Sequence, residues 1–175
     1  MAHLQLAAIP GKFFGRFRRG MSLEAFEREV MFVLSLGVSA YFYTALASYN
    51  AFDPSWNSTS LPMTQPENWA GNFGAELSAY VIYWLGVSAY LLPLPLLLGA
   101  TLFLTGRAHG FSKYRLIGWT FAILGLAIIA HNQIPVLALG GIETPSGGVL
   151  GARLSLLLVA TFGGIGSTIV VATIL

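Results

Sequence analysis

The feature that most constrains this chain is a series of apolar stretches, each long enough to cross a bilayer, separated by short segments that hold nearly all of its charge. A helix spanning a hydrocarbon core of about 30 Å needs about 20 consecutive apolar residues. Residues 30–49, 77–105, 112–131 and 154–175 each satisfy that length. Charged residues make up only 9% of the chain, whereas soluble domains carry about 25% and need them to coat a water-exposed surface. The expected fold is therefore all-α: a polytopic membrane protein with four transmembrane helices over 30–175, preceded by a basic tail over 1–29. A soluble enzyme, a disordered segment and a nucleic-acid-binding module are excluded on the same ground. The sequence pI of 9.1 rests on 9 basic against 7 acidic residues, an excess too small for an electrostatic footprint on DNA.

The first apolar run begins only near Val30, and no small-residue cleavage site follows it, so it should stay in the chain rather than leave as a signal peptide. Ser22 is a candidate N-cap ahead of Glu24 and Glu27, and Tyr41, Phe42, Tyr43 and Tyr49 suit the membrane–water boundary at the far end. The second run contains Pro93-Leu94-Pro95, which removes two backbone donors and predicts a kink. The third has Tyr114, Arg115 and Trp119 near one end, able to snorkel or to sit at an interface. The fourth reaches Leu175 without a basic cap, so a hydrophilic continuation is expected.

Eight of the 9 basic residues lie on one side: Lys12, Arg16, Arg18, Arg19 and Arg28 in the tail, and Arg107, Lys113 and Arg115 between spans two and three. The connections 50–76 and 132–148 carry Asp53, Glu67, Glu76 and Glu143 and no Lys or Arg. By the positive-inside rule both termini are expected in the cytoplasm, with Arg153 the single outer exception. Small residues recur at helix-packing spacing, as Ser35 with Ser39, Ala75 with Ala79, and Gly147 with Gly151, and Gly163, Gly164 and Gly166 thin span four.

The chain contains no phosphate-binding Gly-rich loop, no His-Glu-x-x-His and no Gly-x-Ser-x-Gly. Without cysteine it has no disulfide, no Cys-based metal site and no thiol catalyst. His131 could be a proton relay or haem ligand, but His3 and His109 fall in cytoplasmic segments, so an interfacial hydrogen-bonding role is favoured. Glu76 and Arg153 stand at the outer ends of spans two and four and form a candidate charge pair. The aromatic and basic run Lys12 to Arg19 could stack on single-stranded nucleic acid, yet beside a first span it more simply lies on an anionic leaflet. Asn57-Ser58-Thr59 matches a glycosylation acceptor too short to carry weight.

Four segments then resemble, in order, the N-terminal membrane domain of FtsK/SpoIIIE-type bacterial DNA translocases. They are Ser48-Tyr49-Asn50-Ala51-Phe52-Asp53-Pro54-Ser55-Trp56, Asn68-Trp69-Ala70-Gly71-Asn72-Phe73-Gly74-Ala75, Gly86-Val87-Ser88-Ala89-Tyr90-Leu91-Leu92-Pro93, and Gly147-Gly148-Val149-Leu150-Gly151. The family often has an acidic residue a few positions after the Gly-Ala pair; this chain has Ala79 there, and Glu76 one turn earlier. The resemblance implies a four-helix anchor in the bacterial inner membrane at the division septum, tethering a hexameric ATP-driven DNA motor and contacting divisome proteins. ATP and Mg are implied only for that motor, so no cofactor and no direct nucleic-acid contact are expected of this chain. Its partners would be the lipid bilayer, division proteins and further copies of itself.

In physical terms Asp53 and Pro54 can turn the chain out of span one, and Trp56 and Trp69 can anchor the outer connection in headgroups. Asp53, Pro54, Trp56, Asn68 and Trp69 are the candidate partner-binding residues, and Gly71, Gly74, Ala75, Gly147, Gly151 and Gly163 the candidate helix-packing residues. Two readings of another class stay beside this one: a small transporter or channel subunit using Glu76, His131 and Arg153, and the membrane anchor of a respiratory complex.

Overall fold

The structure, a computed structural model, describes residues 23–58, 65–104 and 113–174. Ser22, the basic run Lys12 to Arg19, Thr59 and Arg107 lie outside the described residues. Among the described residues five α-helices and one short hairpin follow in order: α1 (Leu23–Ala47), α2 (Gly71–Leu85), a 3-10 turn (Gly86–Leu91), α3 (Leu94–Leu104), α4 (Lys113–Gln133), β1 (Val136–Leu139), β2 (Ile142–Pro145) and α5 (Gly148–Ile174). Three stretches of the described residues are long and apolar enough to cross a membrane: Ala25–Ala47, Tyr114–Gln133 and Gly148–Ile174. Gly71–Leu91 and Leu94–Phe103 together make a fourth, bent by 44°.

Residues of α1 form a helix because Leu, Ala, Met and Glu dominate its first turns, and two hydroxyls at its far end bond back to its backbone. Thr44 Oγ1 donates to the Ala40 carbonyl at 2.8 Å and Ser48 Oγ to the Thr44 carbonyl at 2.8 Å, so neither hydroxyl is orphaned among apolar groups. The helix starts at Leu23, inside the segment 1–29 expected as a tail, and ends at Ala47.

The expected kink is present, and it is spread over two features. Gly86 ends α2 and opens the 3-10 turn, and α3 begins only at Leu94, between the two prolines that cannot donate to a preceding turn. α3 then packs along α1, where the buried Ser39 hydroxyl donates to the Pro93 carbonyl at 3.0 Å across 54 residues of sequence. A small core of Leu46, Val81, Ile82 and Ala89 joins the end of α1 to α2 and the 3-10 turn, with Tyr49, Leu77, Tyr90 and Leu139 against it.

Two features depart from four plain helices. Residues 132–148, expected as a connection, contain an antiparallel hairpin with Val136 opposite Pro145 and Leu139 opposite Ile142. Gly140 and Gly141 make its turn at φ of 59° and 88°, the two positive values that a two-residue hairpin turn of primed type demands. The second departure is in α5. Gly163, expected to pack against a neighbouring helix, has φ 73° and ψ 172°, and a Cβ there would meet nothing within 4 Å. It breaks the helix instead.

The break is sharp, as one side chain shows. Ser155 Oγ donates to Asn132 Oδ1, and Asn132 Nδ2 donates to Ser167 Oγ at 3.2 Å. In an unbroken helix Ser155 and Ser167 would stand about 18 Å apart along the axis, beyond the reach of one carboxamide. The arm after Gly163 therefore turns back toward α4.

The candidate interaction site at the loop end of the bundle

The segments after α1 and before α2 fold onto each other through Asn68. α1 ends with unpaired carbonyls, as every helix does. Asn68 Nδ2 donates to the Ala45 carbonyl at 2.8 Å and the Ser48 carbonyl at 3.2 Å, and approaches Ser78 Oγ at 3.4 Å. Its Oδ1 accepts the Ala70 N–H at 2.9 Å, and Ser48 Oγ accepts the Trp69 N–H at 2.9 Å. One carboxamide thus closes the C-terminus of α1 and shapes the approach to α2. Gly74 faces that junction so closely that a Cβ would lie 2.7 Å from Asn68 Oδ1, and Ala75 is buried one residue on.

Asp53 secures the same junction from the other side. Its Oδ1 accepts the Glu67 N–H at 2.8 Å, while Oδ2 is buried with no hydrogen-bond partner among the described residues. Beside it Asn50 Nδ2 donates to Glu67 Oε2 at 2.9 Å. Burial, and after it the Asp53 carboxylate, raise the pKa of the Tyr49 hydroxyl above its ordinary value of 10.0.

Of the expected partner-binding residues, two turn inward. Asp53 is 1% exposed and Asn68 4%, because their oxygens and amide hold backbone groups, so neither offers its side chain to a partner. Trp56 and Trp69 are 50% and 78% exposed and do face outward, and Pro54 is half-buried. Trp56 heads an aromatic cluster, edge-on to Tyr83 at 4.9 Å between ring centroids and 6.0 Å from Tyr80, with Trp84 5.4 Å from Tyr83. Its backbone N–H donates to Glu76 Oε2 at 3.1 Å.

That bond corrects the candidate pair of Glu76 with Arg153. Both side chains are exposed, Glu76 is engaged by loop backbone, and no ion pair joins them. A second correction concerns His131, whose Nδ1 is buried without a partner among the described residues while the neighbouring Asn132 makes the bonds to α5. Gly71 is a third: a Cβ there would meet nothing within 4 Å, so its φ of 69°, not close packing, calls for glycine.

Gly147 and Gly151 do lie where packing needs them. A Cβ on either would fall 2.1 Å and 2.6 Å from the Ala127 carbonyl oxygen, so α5 rests on the backbone of α4. Sequence reasoning left Gly86 and Gly148 without a role, yet each abuts the other's backbone, and Val87 N–H donates to the Ser146 carbonyl at 2.7 Å. Ser48 and Glu67 likewise have no role in the sequence reading, and Tyr49 only that of a boundary aromatic; the signal was the absence of any basic residue to balance Glu67 and Asp53 in 50–76. The hairpin turn completes the face, since Ala51 N–H donates to the Gly140 carbonyl at 3.0 Å.

This arrangement binds rather than reacts. Among the described residues no group of three or more His, Cys, Asp or Glu could hold a metal ion. The four segments that carried the family resemblance form two backbone junctions, the first segment with the second through Asn68 and the third with the fourth at Gly86 and Gly148.

Residues 24–175 match the family described as the 4TM region of DNA translocase FtsK/SpoIIIE. The DNA translocase FtsK of Vibrio vulnificus is 31% identical over 153 residues, covering 85% of this chain and 15% of that protein. That of Pseudomonas syringae pv. syringae is 35% identical over 117 residues, with 63% and 14% covered, and that of Agrobacterium fabrum 32% over 167 residues, with 93% and 18% covered. No solved structure matches. The chain spans about 15% of the length of such relatives, and over nearly its whole extent it belongs to the family of FtsK/SpoIIIE four-helix membrane domains.

Proposed function

We propose that the chain anchors an FtsK-type DNA translocase in the inner membrane at the division site, and that its loop face is the surface that division proteins meet. Both termini lie in the cytoplasm in this reading. The observation that carries it is the loop face itself: exposed Trp56 and Trp69 stand on a rigid frame of backbone bonds made by Asp53, Asn68 and Glu76, in segments free of Lys and Arg. Such a frame holds two aromatic anchors at fixed positions, which is how a few aromatic side chains come to dominate an interface. Copies of the domain associate weakly through small-residue faces, since side-chain hydrogen bonds between membrane helices average only about 0.6 kcal/mol.

The test is a fluorescent fusion of this chain in dividing cells. It should gather at the septum, and Trp56→Ala with Trp69→Ala together should spread it around the cell without loss of insertion. Even distribution of the unaltered fusion, at normal expression, refutes the reading. The orientation is checked separately with single cysteines: Glu143→Cys should react with an impermeant thiol reagent in intact cells and Ser112→Cys should not.

A further inference from the structure

The turn at Gly140 and Gly141 rides over the end of α1 and leaves a cleft of about 410 Å³, lined by Ser48, Tyr49, Asn50, Phe52, Glu67 and Trp69. That volume falls in the range of roughly 300–1,000 Å³ common for small-ligand sites. Three walls are aromatic and the one charge in the lining is the Glu67 carboxylate, whose Oε2 is held by Asn50 and whose Oε1 accepts no bond among the described residues.

A second carboxylate stands close to this cleft. Asp53 is bonded to the Glu67 N–H and acts electrostatically on the Tyr49 hydroxyl, and its buried Oδ2 has no hydrogen-bond partner among the described residues. A buried carboxylate oxygen without a partner is costly unless opposite charge stands nearby. No Lys or Arg occurs in 50–76 or 132–148 to supply it. Aromatic faces add attraction for a cation within about 6 Å of a ring centre. A bare metal ion suits the cleft poorly, since among the described residues a single carboxylate is the only charged group in its lining.

We propose that this cleft binds the primary ammonium of an ethanolamine-type phospholipid headgroup. Glu67 accepts its N–H groups, Tyr49, Phe52 and Trp69 flank it in an open cleft, and Asp53 adds long-range attraction. The depth selects a lipid over a soluble amine: Ser48 and Tyr49 directly follow Ala47, where the apolar helix ends and headgroups begin. The inference does not depend on which leaflet the loop face meets, nor on septal targeting.

The experiment is native mass spectrometry of the purified full chain in detergent, with dioleoyl phosphatidylethanolamine and dioleoyl phosphatidylglycerol offered in equal amounts. The ethanolamine lipid should be retained about tenfold over the glycerol lipid. Glu67→Gln keeps an acceptor for Asn50 and should abolish that preference, whereas Glu143→Gln, the same charge change outside the cleft, should leave it intact. Trp69→Ala should weaken retention severalfold and Trp69→Phe should restore it, which carries the test on a side chain that forms no hydrogen bond among the described residues. Equal retention of the two lipids, or a preference that survives both Glu67→Gln and Trp69→Ala, overturns the proposal. So does displacement in the other sense: binding of Nα-acetyl-lysine amide to the cleft without binding of the lipid would assign it to a basic side chain.

Discussion

A Cβ placed on Gly86 would lie 2.5 Å from the backbone nitrogen of Gly148, and one placed on Gly148 would lie 2.6 Å from the nitrogen of Gly86. Each glycine excludes a side chain on the other's behalf. Backbone meets backbone there, with no flexible atoms to give way.

Gly86→Ala should therefore disrupt the domain, at a cost of about 2 kcal/mol or more, since both the contact and the φ of 58° oppose a methyl group. Gly118→Ala, in open space on α4, should be neutral or slightly stabilising. Loss of helical circular dichroism on titrating dodecyl sulfate into mixed micelles compares the two.

Asn68→Ala removes the donor to Ala45 and Ser48 and the acceptor for Ala70 together. With net hydrogen-bond contributions of about 1 kcal/mol each, the loss should be about 2–4 kcal/mol. Asn68→Asp keeps the acceptor and loses the donor, so it should be intermediate or worse, because an unpaired carboxylate would then face carbonyl oxygens. The same detergent titration orders the variants.

The fold-back of α5 predicts a proximity. Ser155 Oγ and Ser167 Oγ share one carboxamide, which places them within about 8 Å of each other. The chain has no cysteine, so Ser155→Cys with Ser167→Cys gives a clean pair, and a short bifunctional thiol reagent should join them within one chain. Gly163→Ala, which opposes the φ of 73°, should lower the cross-linking yield severalfold.

Tyr49 should titrate late. Its hydroxyl pKa is raised, first by burial and then by Asp53, relative to an unfolded value near 10. A raised pKa means that the folded chain holds this proton more tightly; the stabilisation is complete below about pH 10 and is lost as pH climbs through the folded value. Ultraviolet difference titration of tyrosinate should lose a late component in Tyr49→Phe, and Asp53→Asn should bring that component to lower pH by a smaller amount than exposure of the ring would.

The spans were legible because lipid imposes a length and a composition, and the bend at Pro93 because a missing donor is visible in one letter. The close packing of Gly147 and Gly151 also followed from spacing alone. The hairpin was legible in principle, as Val-Leu-Ala-Leu and Ile-Glu-Thr-Pro flank Gly140 and Gly141, but a chain so rich in helix masks an eight-residue strand pattern. Asp53 and Asn68 read as surface groups because polarity argues for exposure; their burial follows from carbonyls and amides at the α1 end that no sequence pattern displays. Gly163 read as a packing residue for a similar reason: spacing reveals where a side chain is small and says nothing of φ.

Because of Gly163, α5 is mechanically a jointed arm and not a rod. Tension applied near Ile174 would not pass straight along the axis to Gly148; it would first act to open the angle at Gly163, and the element resisting it is the Asn132 carboxamide clasped between Ser155 and Ser167.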